Sequence, residues 1–203
     1  AVRWEAHGWL DSGQATGGGL ERVLRTAVAS LIEAVGAKDP YTRSHSRRVS
    51  RYAQAIARGL GLSPHVQDEV ALAGELHDVG KIGVPDDLLH KTGPLTQEER
   101  CRLLDHTVIG ERILAPLLVA RPAVLAAVRW HHERMDGSGY PDGLRAQSIP
   151  LIARILAVAD SFDAMTSARP YRGALPRSVA VAELRREAGS QFDPRCVRAF
   201  LAL

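Results

Sequence analysis

The sequence predicts an all-α domain, a helical bundle. Apolar residues recur at helical spacing in several windows. Capping and stop signals frame those windows. No alternating strand pattern and no internal repeat stands out. The chain has 203 residues, of which 45% are hydrophobic and 24% charged. That is ordinary globular composition and excludes wholesale disorder. Aromatic residues are only 5%, so the core must be aliphatic. A chain of this length can bury about 70% of its unfolded surface.

Residues 1–19 are Gly-rich and aperiodic, ending in Thr16-Gly17-Gly18-Gly19. They read as a linker or the remnant of an upstream region. From Leu20 the pattern turns helical, with Val23, Leu24, Ala27, Val28, Leu31, Ile32 and Val35 in register. A second helix places Val49, Tyr52, Ala53, Ile56, Ala57 and Leu60 on one face, and Gly61 stops it. A third runs from about Pro64 to Asp78. Residues 80–94 are rich in Gly, Pro and Asp and read as loop. Thr96 with Glu99 forms a capping box for the next helix. Pro122 opens another that ends near His132, and residues 133–150 must be loop. Residues 149–167 return to helix, with Ile152, Ile155, Leu156, Ala159 and Phe162 inside. Asp193-Pro194 starts a short last helix. The domain is taken as residues 20–203.

Charge and cysteine exclude more than they establish. Net charge is +3 with a pI near 9.1. The lysines are Lys38, Lys81 and Lys91, and the many arginines are scattered, so no nucleic-acid stripe is present. No apolar run reaches the roughly 18 residues of a membrane span. Cys101 and Cys196 share no metal or redox spacing and read as reduced thiols, which points to the cytoplasm. The chain starts at Ala1 without a signal-peptide pattern and reads as a fragment of a longer protein.

The histidines and aspartates carry the chemistry. In Leu76-His77-Asp78-Val79-Gly80-Lys81, adjacent side chains on a helix point about 100° apart. His77 and Asp78 can face one ion only at a helix end, and Gly80 supplies it. His131-His132 is a second adjacent pair before a glycine-rich loop, although it can equally be a C-terminal cation pair favoured by the helix dipole. Asp160 lies one turn beyond Leu156 on a strongly apolar helix. There a carboxylate costs several kcal/mol unless paired, with an arginine or with a metal. His45 and His106 fall on or beside apolar faces, where a lone histidine is usually a satisfied core residue. Taken together, His45, His77, Asp78, His106, His131, His132 and Asp160 exceed what one catalytic ion with open positions needs. They fit two ions bridged by a carboxylate, about 3.5–4 Å apart. Mixed nitrogen and oxygen donors suit Fe, Mn, Zn or Ni better than Ca or Mg. His7, His65 and His90 have no assigned role.

These residues resemble the HD superfamily of metal-dependent phosphohydrolases, and more fully its HD-GYP branch. The resemblance rests on an ordered string of motifs. It comprises residues 39–45 (DPYTRSH), residues 77–83 (HDVGKIG), His106, residues 131–141 (HHERMDGSGYP), residues 157–160 (AVAD) and Arg169-Pro170-Tyr171-Arg172. It covers the chain from about Leu20 onward. The resemblance implies a bundle with a central metal centre and hydrolysis of cyclic di-GMP, a bacterial second messenger. By position, His45, His77, Asp78, His106, His131, His132 and Asp160 correspond to metal ligands, with Asp78 bridging. It implies that Lys81 contacts the scissile phosphate, and that Arg169 and Arg172 hold phosphate or guanine. It also implies diguanylate cyclase domains as partners for the Gly139-Tyr140-Pro141 loop. Three-metal members carry a glutamate where this chain has Tyr41, so two divalent ions are expected, iron or manganese ahead of zinc or nickel.

A phosphodiester is anionic and resists neutral water; two cations activate a water between them and neutralise the growing charge. Asp78 and Lys81 are therefore the expected catalytic residues, although Lys81 alone can be a solvated loop lysine. Arg169 and Arg172 can be plain surface charge, and Tyr140 can stack on a base or serve only structure. Two rival functions remain. One is hydrolysis of another cyclic dinucleotide such as cyclic GMP-AMP. The other is a module that binds the dinucleotide without cleaving it. The N-terminal helix suits a connection to an upstream sensor or receiver domain, or pairing with its copy in a homodimer.

Overall fold

The computed structural model describes residues 17–168 and 173–203. The stretch 1–16 of the expected linker, and Arg169 and Arg172, lie outside the described residues, as does the side chain of Tyr41. Among the described residues there is no strand, only an isolated bridge between Ala188 and Phe192.

Helix α1 (Gly17–Lys38) begins within the glycine run read as linker, and it buries Val28 and Val35. Its closing residue, Lys38, donates to the carbonyls of Ile82 at 3.0 Å and Val84 at 2.5 Å. The end of α1 is thereby fastened to the turn that follows α3. Helix α2 (Pro40–Gly59) buries the predicted stripe of Val49, Ala53, Ile56 and Ala57 completely. Helix α3 (Pro64–Leu76) is capped by Ser63, whose hydroxyl accepts from Val66 N. The two helices approach closely because Gly74 faces Ser50: a Cβ there would lie 2.6 Å from Ser50 Cα.

Helix α3 stops at Leu76, two residues before the expected end, and a 3₁₀ turn over Val79–Gly83 follows. The expected 80–94 loop contains a short helix, α4 (Asp86–Leu89). The Thr96–Glu99 capping box opens α5 (Gln97–Leu104), with Thr96 N donating to Glu99 Oε2 at 2.8 Å. The chain breaks at Asp105 and restarts as α6 (His106–Leu114). Helix α7 spans Pro122–Trp130. After the long loop comes α8 (Leu151–Thr166), then α9 (Arg177–Arg186) and α10 (Pro194–Leu201). Helix α9 lies where the residue pattern predicts no helix.

Helix α8 is the centre of the bundle. Ile152, Ile155, Leu156, Val158 and Phe162 are buried along it. Each such side chain contributes roughly 1.5–3 kcal/mol, and the same helix carries two acidic residues, Asp160 and Asp163. A buried ion pair from Arg154 to Asp193 at 2.6 Å ties α8 to the cap of α10.

Candidate metal centre

Each candidate ligand is placed by a local feature of the chain. His77 is the residue that closes α3, and Asp78 leaves helical geometry at φ −96°, ψ 4°. That departure lets both adjacent side chains turn to one point, with His77 Nε2 3.4 Å from Asp78 Oδ2. His106 opens α6, directly beside the 3₁₀ turn. The approach depends on Gly80, where a Cβ would collide with the carbonyl of His106. His131 closes α7 and His132 follows it, their ring centroids 4.0 Å apart. His45 comes from the middle of α2 and Asp160 from α8, with 3.1 Å between His45 Nε2 and Asp160 Oδ1.

The structure brings all of these residues together. His45, His77 and Asp78 form one group whose ligand atoms lie within 4.8 Å of one another; His106, His131 and His132 form a second. Asp78 stands between them. Its Oδ2 lies 3.7 Å from His45 Nε2, and its Oδ1 lies 3.6 Å from His106 Nε2.

The ring nitrogens are polarised toward this centre. Nδ1 of His77, His106 and His131 faces the carbonyl oxygen of Gly74, Leu103 and Val128 at 2.9, 2.9 and 2.8 Å. A carbonyl only accepts, so each Nδ1 carries the proton and each Nε2 offers a lone pair. Those same three Nε2 atoms are buried and have no hydrogen-bond partner among the described residues. A buried polar atom without a partner costs about 1–3 kcal/mol. Three converging on one place, next to two carboxylates, fit a divalent cation. These clusters can hold metal.

Charge follows the same division. Burial drives His106 and His131 below their ordinary pKa, and drives His132 down to about 3. These rings are neutral, so the reading of His131-His132 as a cation pair does not hold. His45 differs: burial opposes its charge, but the hydrogen bonds it donates to the carboxylates of Asp160 and Asp163 prevail and raise it to about 9. Asp160 thus pairs with His45 rather than with an arginine. Burial likewise opposes the charge on Asp78, yet Lys81 holds its carboxyl well below the usual range.

Lys81 Nζ sits 2.6 Å from Asp78 Oδ2, so it is no solvated loop lysine. Tyr140 stacks on His132 with centroids 4.8 Å apart and an interplanar angle of 25°. Tyr140 and His132 line a cavity of about 380 Å³ together with His45, Asp78, Lys81, His106 and Asp160; Asp39, Leu89, His90, Thr92, Leu103 and Leu104 form its remaining walls. The loop that carries Tyr140 is shaped by buried Glu133, whose carboxylate accepts from Asp142 N at 2.7 Å and Leu144 N at 3.0 Å.

Sequence reasoning missed two residues here. Asp163 Oδ2 faces His45 Nδ1 at 2.7 Å, and Arg48 clamps the same carboxylate through Nε at 2.6 Å and Nη2 at 3.0 Å. The available signal was spacing: Asp163 is one helical turn beyond Asp160, and Arg48 one turn beyond His45.

A bundle that gathers imidazoles from four helices and their ends around shared carboxylates defines an all-α domain of the metal-dependent phosphohydrolase type. Residues 29–196 match the HD domain family. The chain belongs to that family, and its motif string places it in the HD-GYP branch. It is 44% identical over 184 residues to the cyclic di-GMP phosphodiesterase response regulator RpfG of Xanthomonas campestris, covering 90% of this chain and 48% of that protein. It is 44% identical over 170 residues to a cyclic di-GMP phosphodiesterase of Thermotoga maritima, covering 82% and 45%. Among solved structures it is similar to a cyclic GMP-AMP-specific phosphodiesterase of Vibrio cholerae. There the TM-score is 0.56 and the identity 34%, covering 92% of this chain and 41% of that one. The chain spans about half the length of the curated relatives it matches.

Proposed function

We propose that residues 20–203 form the catalytic domain of a metal-dependent phosphodiesterase that hydrolyses cyclic di-GMP to pGpG, GMP or both. The observation that carries this reading is Asp78, which presents one carboxylate oxygen to each of two imidazole clusters. Two divalent ions, iron or manganese, supply when bound an activated water and neutralise charge on the phosphodiester. His45, His77 and Asp160 hold one, His106, His131 and His132 the other, and Asp78 is shared. Lys81 steadies the non-bridging phosphate oxygens at the cavity floor. Tyr140 walls the cavity beside His132, and Arg169 and Arg172 hold phosphate or guanine. The relatives named cyclic di-GMP phosphodiesterases support the substrate.

A second reading is favoured by a specific observation: relatives named 3'3'-cGAMP-specific phosphodiesterases are 36–38% identical to this chain. Cyclic GMP-AMP is therefore the competing substrate. We further place the domain in the cytoplasm, consistent with free Cys101 and Cys196, and downstream of a sensor or receiver domain. A relative named a response regulator, half of which aligns here, supports that arrangement. No helix among the described residues is long and apolar enough to cross a membrane.

The test is elemental analysis of anaerobically purified protein coupled to parallel hydrolysis assays on both dinucleotides. Two equivalents of metal and faster turnover of cyclic di-GMP are expected. Faster turnover of cyclic GMP-AMP moves the assignment to that substrate. Tight binding without pGpG or GMP makes the domain a receptor instead.

A further inference from the structure

We propose that Asp163, fixed by Arg48, is a positioning residue that makes the two metal positions unequal, so that the His45 side fills first and holds its ion more tightly. The inference rests on the metal reading above and concerns only how affinity is divided. His77, His106 and His131 each turn Nδ1 to a neutral main-chain carbonyl. His45 instead turns Nδ1 to the Asp163 carboxylate at 2.7 Å. A carboxylate behind an imidazole fixes its tautomer and makes the opposite nitrogen a stronger donor.

This carboxylate is well held. Asp163 is 1% exposed, and Arg48 grips both of its oxygens. Ser167 adds a contact at 3.3 Å. The ring of His45 is thus aimed by two charged groups on separate helices, α2 and α8. On its other edge, Nε2 meets Asp160 as well as Asp78. The His45 side therefore gathers one shared carboxylate, one further carboxylate and one carboxylate-backed ring. The opposite cluster consists of His106, His131 and His132. A divalent cation is attracted more strongly to the side with more negative charge.

The experiment uses the full chain, stripped with chelator and titrated anaerobically with micromolar Mn(II) at pH 9, where proton competition at His45 is smallest, free ion being counted by its EPR signal. Wild type should load in two steps whose dissociation constants differ by at least about tenfold. Asp163→Asn keeps an acceptor for Nδ1–H but removes the charge and, with it, the acceptor that Arg48 Nε uses. It should weaken the first step by about 10–100-fold and leave the second within about twofold. Arg48→Gln retains Asp163 but frees its orientation, and should weaken the same step by a smaller factor. If Asp163→Asn does not melt cooperatively, Arg48→Gln carries the comparison. Two indistinguishable steps in wild type, or equal weakening of both steps in the folded variants, overturn the inference. Absence of bound Mn(II) in wild type overturns the metal reading itself. Stepwise loading without dinucleotide hydrolysis leaves this inference standing and removes only the proposed activity.

Discussion

Lys81 and Asp78 show how one contact can serve both folding and chemistry. A lysine ammonium buried at the base of a cavity would ordinarily lose its proton. Here burial does oppose the charge, but Asp78 at 2.6 Å outweighs it and the ammonium pKa is raised. A permanent positive charge therefore lines a cavity whose proposed substrate is anionic. Lys81→Ala should reduce kcat by about 10²–10³, the usual cost of removing one group that stabilises transition-state charge. Metal content should not change, because imidazole nitrogens and the carboxylates of Asp78 and Asp160 remain. Steady-state kinetics with elemental analysis on the same preparation decides this: a variant that loses its metal is inconsistent with a role at the phosphate.

At the scale of elements, the centre depends on where helices end. Helix α3 ends at Leu76 so that His77 and Asp78 can turn together, and the next turn must then lie directly on the start of α6. Gly80 allows that contact. Gly80→Ala should separate the 3₁₀ turn from His106 and destabilise the fold by about 1–3 kcal/mol, the range for overpacking. Lower Tm accompanied by weaker metal binding is the expected pair of results; unchanged binding in a destabilised variant would show that His106 does not depend on this contact. Much of this arrangement was legible in the sequence. The periodicity gave the buried stripes of α2 and α8, and Thr96 and Glu99 gave the cap of α5; the end that His77 and Asp78 need was expected at Gly80, whereas the helix stops at Leu76 and Gly80 lies within the 3₁₀ turn that follows. Other features were not legible. Helix α9 has a weak stripe in which only Ala180 and Leu184 are buried, and its apolar residues fall in a run, Val179 to Ala182, rather than at helical spacing. The break at Asp105 leaves no trace in composition, since neither glycine nor proline marks it. Asp163 was passed over because its partners, His45 and Arg48, are more than a hundred residues away in sequence.

Across the whole molecule, the centre sets how stability responds to pH. Without metal, His106, His131 and His132 have lowered pKa values and stay neutral when folded. Once unfolded they take up protons below about 6.5. The unfolded state then binds more protons, so stability falls as pH drops from 6.5 toward 5. His45 acts in the opposite sense. Its pKa rises from 6.5 to about 9 on folding, so its contribution is complete below 6.5 and is lost as pH climbs through 9. The buried carboxylates Asp78, Asp160 and Asp163 are all shifted downward and titrate below this window. Chelated protein should therefore show its highest Tm near neutrality, with decline on both sides. Metal changes the alkaline side. A cation at His45 must displace the proton that bonds Asp160, so binding strengthens as pH rises toward 9. The Tm difference between loaded and chelated protein should widen from pH 6.5 to 9, as thermal scans at matched ionic strength would show. A constant difference across that range would mean that His45 gives up no proton to the metal and stands outside the coordination shell.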